Sequence, residues 1–81
     1  MTIYEALSKR NEILARISGA RRAVLIANAG LRNEIEAYCA DDTNFDTSGI
    51  LNKQSAYETA LSELFELKNE LEMLDGLEVK D

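Results

Sequence analysis

Ile17, Val24, Leu31 and Tyr38 recur at seven-residue intervals, and after Tyr57 come Ala60, Leu64, Leu67, Leu71 and Leu74 at alternating steps of three and four. Spacing of this kind keeps side chains on one side of an α-helix. Two such stretches predict two long helices, each with an apolar seam of coiled-coil type. No proline occurs in the 81 residues, so the usual helix breaker is missing.

The first helix is predicted to begin at Thr2, where Thr2-Ile3-Tyr4-Glu5 has the form of a capping box. Its apolar stripe reads Ile3, Leu7, Leu14, Ile17, Val24, Leu31, Ile35 and Tyr38, widened by Ile13, Ala20 and Ala27. Gly19 and Gly30 lie inside it, and each costs up to about 1 kcal/mol relative to alanine in a helix interior. The stripe keeps its phase across both, which favours one helix over a break at either. Ala40–Gly49, ADDTNFDTSG, gathers turn-forming residues and reads as a loop, with Phe45 expected to tuck over the hairpin end. Thr47 or Ser48 is placed to cap a second helix. Its seam is Ile50, Tyr57, Ala60, Leu64, Leu67, Leu71 and Leu74, with Leu51, Leu61 and Phe65 on the flank. Asp75-Gly76 is expected to end it through a left-handed glycine, with Leu77 folding back.

The resulting expectation is an all-α chain: one domain over 1–81, a long antiparallel helical hairpin. Its helices span about 2–38 and 49–75, the loop lies at 40–49 and 77–81 form a frayed tail. The helices would be roughly 55 Å and 40 Å long.

Within the first helix, GARRAVLIANAGL (Gly19–Leu31) is the most apolar run, with no charge from Ala23 to Leu31. Its apolar residues point in nearly every direction, so one partner helix cannot cover them all. Ala20, Ala23, Val24, Leu25, Ile26, Ala27 and Leu31 are therefore the candidate self-association or partner interface. The expected assembly is a homo-oligomer, a dimer for preference, packed as a multi-helix bundle.

The formal net charge is −6, which argues against direct nucleic-acid binding. The first forty residues carry six cations against four acids, and the remainder three lysines against eleven acids. Folding back would set the basic segment Lys9–Arg22 beside Glu70, Glu72, Asp75 and Glu78. Arg21 and Arg22 interrupt the apolar stripe at its densest point. Their stems can lie along apolar surface. In an oligomer, with Arg32 and Asn28, they form a candidate anion site for a phosphate-bearing small molecule. Glu58, Glu63, Glu66, Glu70 and Glu72 form a candidate acidic partner face.

Chemistry finds little support. With no histidine, the commonest general base and metal ligand is missing. Asp42, Asn44, Asp46 and Ser48 follow the first four ligand positions of a calcium loop. Thr47 and Lys53 then stand where glycine and a bidentate glutamate belong. Glu63, Glu66 and Glu70 share a helix face and read as solvated. Cys39 lacks a base and has Asp41 and Asp42 nearby. No catalytic residue, metal or cofactor is expected. The lone cysteine and the polar start MTIYEALSKR suggest a cytoplasmic setting, and the longest uncharged run is far short of the ~20 residues a membrane helix needs. The reading is a small bacterial or phage protein acting as a protein–protein interaction or scaffolding module. Two alternatives stand beside it: an acidic inhibitor occupying a basic nucleic-acid groove of a host defence or regulatory protein, and an arginine-lined phosphate-binding oligomer.

Overall fold

The computed structural model describes residues 2–76. It is an antiparallel hairpin of two helices, α1 (Ile3–Ala40) and α2 (Ser48–Asp75), with no strand among the described residues. The expectations for Leu77, the 77–81 tail and Glu78 lie outside the described residues.

α1 runs unbroken for 38 residues through both Gly19 and Gly30. It starts where the capping motif places it: Glu5 N–H donates to Thr2 Oγ1 at 3.2 Å, the hydroxyl half of the box. It continues two residues beyond the expected end, since Cys39 and Ala40 can both extend a helix. Asp41 stops it, adopting an extended backbone while its N–H donates to Tyr38 O.

The loop is held by three side-chain turns in succession. Asp41 Oδ1 accepts from the Thr43 N–H at 3.0 Å and from its hydroxyl at 2.7 Å. Asn44 Oδ1 accepts from Asp46 N–H, and Asp46 Oδ1 from Ser48 N–H, each at 3.0 Å. Short polar side chains closing rings two residues ahead are the usual way such a turn is fixed. Two expectations change here. Thr47 stands at the N-cap of α2, but its backbone (φ −92°, ψ 3°) departs from the extended capping conformation and its hydroxyl makes no capping bond, while Asp46 Oδ1 accepts from the Ser48 N–H one residue earlier. Phe45 is 82% exposed rather than tucked in, because the turns on either side hold it outward.

At the other end, Gly76 is right-handed (φ −83°, ψ −9°), not left-handed. Its N–H still donates to Glu72 O at 3.0 Å, so the last turn closes helically and needs no reversal of φ.

The seam of α2 is the predicted one: Leu67 and Leu74 are buried, and Ile50, Tyr57, Ala60, Leu64 and Leu71 half-buried. The seam of α1 is corrected. Its inward positions are Ile13, Ile17, Ala20, Val24, Ala27, Leu31, Glu34 and Tyr38, at alternating steps of four and three. Leu7, Leu14 and Ile35 lie off it and are exposed, because Ile13, Ala20 and Ala27 are the second row of the seam and not its margin; Ile3 is in phase with Ile17 but is exposed at the start of α1.

Among the described residues the buried side chains are Ile13, Ile17, Ala20, Leu67 and Leu74, with Leu64 and Leu71 packed against them. This core fills the open half of the hairpin. Toward the loop Leu31, Tyr38, Ile50 and Tyr57 alternate in the seam with Ala27, Glu34, Lys53 and Ala60 and are only half-buried. Two electrostatic pairs span the open half, Arg10 Nε–Asp75 Oδ1 at 3.4 Å and Arg16 Nη1–Glu70 Oε2 at 3.9 Å. Both are exposed, so they select register more than they add stability.

The rod measures 66 × 14 × 12 Å, with a radius of gyration of 18.6 Å against about 12 Å for a compact chain of this length. Its accessible surface is 6277 Å², where size scaling gives about 4,900 Å² for a folded monomer of 9.0 kDa.

Candidate protein interface

A two-helix seam leaves two flanks, and the flanks of this hairpin differ in character. One is lined by small residues. Ala23, Ala27, Gly30, Ala56 and Ala60 floor a groove of about 460 Å³, bordered by Ile26, Lys53, Thr59 and Glu63. Nothing lies within 4 Å of where a side chain at Gly19 would begin, and at Gly30 only the Lys53 stem comes near.

The other flank is broad and apolar. Helical spacing places Leu7, Leu14, Leu25 and Ile35 of α1 there, and Leu51, Leu61 and Phe65 of α2. All seven are exposed, Leu25 at 68% and Phe65 at 65%. Between the helices on this side runs a groove of about 370 Å³, walled by Leu14, Ile17, Leu25 and Leu71, with Ser18, Arg21, Arg22 and Lys68 at its rim.

The proposed interface residues divide accordingly. Ala20 is buried, and Val24, Ala27 and Leu31 are half-buried in the seam against α2, so the fold itself covers them. Leu25 emerges on the broad apolar flank, while Ala23 and Ile26 line the small-residue groove, Ile26 at 65% exposure. Apolar residues do point all round the middle of α1, and one neighbouring helix covers only part of them.

Arg21 and Arg22 share the rim of one groove, and Lys68 of α2 joins them. Lys68 is the residue that sequence reasoning missed; its position depends on the register between the helices. Arg32 is eleven residues beyond Arg21, about 16 Å along the helix, so one phosphate cannot bridge both within a single chain. Asn28 is half-buried one heptad beyond Arg21.

The five glutamates do not form one ladder. Glu63 and Glu70 line the small-residue side, and Glu70 is paired with Arg16. Glu66 lies beside them on the same side, while Glu58 and Glu72 fall in the row that contains Phe65, where Glu58 Oε1 accepts from Gln54 Nε2 at 3.5 Å.

The loop oxygens are directed at their own backbone. The Thr43 hydroxyl and then its N–H hold the Asp41 carboxyl below the usual carboxylate range. The Ser48 N–H, followed by its hydroxyl, does the same for Asp46. Among the described residues no group of three or more Asp, Glu, Cys or His side chains is placed to hold a metal ion. Cys39 is an exposed free thiol. No helix among the described residues is long and apolar enough to cross a membrane.

No protein-family description, curated protein or solved structure matches the chain. The broad apolar flank and its charged rim are therefore what bears on function.

Proposed function

We propose that this chain is a small protein–protein interaction or scaffolding module that acts by helix packing and self-association. The observation that carries this reading is the row of large apolar side chains left uncovered on both helices of one flank. A contiguous exposed apolar surface on a small protein marks an interaction site. The chain has no histidine and one cysteine, which fits a non-catalytic role in a reducing, cytoplasmic setting.

Native mass spectrometry of the purified chain tests the reading. Masses at integer multiples of 9.0 kDa are expected, and a bare monomer would contradict self-association.

A phosphate-binding oligomer is the second reading, favoured by the three cations grouped around the 370 Å³ groove with no acid among its lining. Titration with inorganic phosphate and with a nucleoside triphosphate checks it. Binding that is lost in Arg21→Ala and Arg22→Ala would support it, and no binding would remove it. The acidic-inhibitor alternative would draw on Glu63, Glu66 and Glu70, which share one side of α2, while Glu58 and Glu72 lie on the other.

A further inference from the structure

We infer that the broad apolar flank is covered by a second copy of this chain, docked face to face about a two-fold axis parallel to the hairpin, so that both loops lie at the same end. The inference rests on the self-association reading and adds the face and the orientation.

Charge argues for a second copy. The chain carries −6 overall, so two copies repel unless they meet where the acidic excess is absent. On this flank α1 contributes three cations, Arg21, Arg22 and Arg32. α2 contributes Glu58 and Glu72 with Lys68, beside Asp75, which Arg10 already neutralises. The flank carries no acidic excess, and its positive side is on α1 and its negative side on α2. A surface of that kind complements itself, as an isologous two-fold contact requires. The small-residue flank lacks this balance: Lys9, Arg16 and Lys53 there face Glu5, Glu12, Glu63, Glu66 and Glu70.

The same polarity selects the orientation. With the two-fold axis along the hairpin, α1 of each copy lies over α2 of the other, and cationic edges meet acidic ones. With the axis across the hairpin, α1 would lie over α1 and α2 over α2, setting like charges together. Surface charges of this kind supply little binding energy, but they discriminate between arrangements. The apolar side chains, Leu25 and Phe65 foremost, supply the burial in either arrangement.

The orientation can be read from a thiol at Ala37→Cys, near the loop end of α1 in the row of Ala23 and Gly30, with Cys39→Ser because Cys39 shares the row of Leu25. Spin labels on this thiol report the distance between the two copies. With loops together, the α1 helices are diagonal neighbours in a four-helix bundle, which gives about 15–30 Å between labels. With loops apart, the labels sit at opposite ends of the rod, about 50 Å from each other. The short distance is expected, and the long one would overturn the inferred orientation. In parallel, Leu25→Lys and Phe65→Lys are expected to lower the dimer mass to that of the monomer or to weaken association at least tenfold, whereas Ile26→Lys on the opposite flank leaves it intact. Dissociation by Ile26→Lys alone would overturn the choice of face while leaving self-association standing. A wild-type chain that is monomeric would overturn both.

Discussion

The carboxylate of Glu34 in α1 lies over Gly49 in α2, in the space that a side chain at position 49 would need. Position 49 is in the first turn of α2, which has no acidic residue of its own. The positive end of a helix dipole favours negative charge there, and Glu34 of α1 adds to the Asp46 carboxylate from across the seam. Glu34→Gln is expected to destabilise the hairpin by about 0.3–1 kcal/mol, as measured by thermal or urea unfolding. An unchanged midpoint would show that the carboxylate is indifferent to the helix end.

The glycines should respond differently to alanine. Gly19 is helical with open space where a Cβ would stand, so Gly19→Ala is expected to stabilise by about 0.5–1 kcal/mol. Gly49→Ala should gain less, because Glu34 must move aside. Melting curves of the two variants test the order; equal gains would argue against a seated Glu34.

Stability should be uneven along the rod. The fully buried side chains cluster in the open half, so Ile17→Ala or Leu67→Ala is expected to cost about 2–5 kcal/mol. Amide exchange should be slowest near Ile13–Ala20 and Leu64–Leu74 and faster from Ala27 to Ala60. Uniform protection along both helices would contradict this division.

Acid should loosen the loop. Asp41 and Asp46 have folded-state pKa values below their unfolded value, Asp41 through the Thr43 hydroxyl and N–H, Asp46 through the Ser48 N–H and hydroxyl. Their contribution is complete above the ordinary carboxylate pKa and is lost as pH falls through the lowered folded-state values. Asp41→Asn with Asp46→Asn keeps the turn-forming oxygens and removes the titration. The double variant should show a shallower fall in melting temperature between neutral and strongly acid pH, and an identical fall would remove these two residues from the account.

The seam of α2 was legible because a bulky side chain occupies most of its positions from Tyr57 to Leu74. In α1 the seam alternates large residues with alanines, while Leu7, Leu14 and Ile35 stand on the flank. Hydropathy alone then favours the larger side chains and places the stripe one row too far to that side. The same flank leucines that blurred the seam form the candidate interface. The grouping of Lys68 with Arg21 and Arg22 was hidden for another reason: it depends on the pairing of Arg16 with Glu70 and Arg10 with Asp75, a register that spacing within one helix does not reveal. The loop was visible as a cluster of turn formers. The use of the Asp46 carboxylate in place of the Thr47 hydroxyl followed from the chain of two-residue turns.

The most direct test of the central claim is the mass of the chain in solution, by sedimentation equilibrium over a range of concentrations. The account predicts a species of twice 9.0 kDa that dissociates only on dilution. A well-folded, helical species that stays at 9.0 kDa at every concentration would contradict it, because the uncovered flank would then need no partner copy.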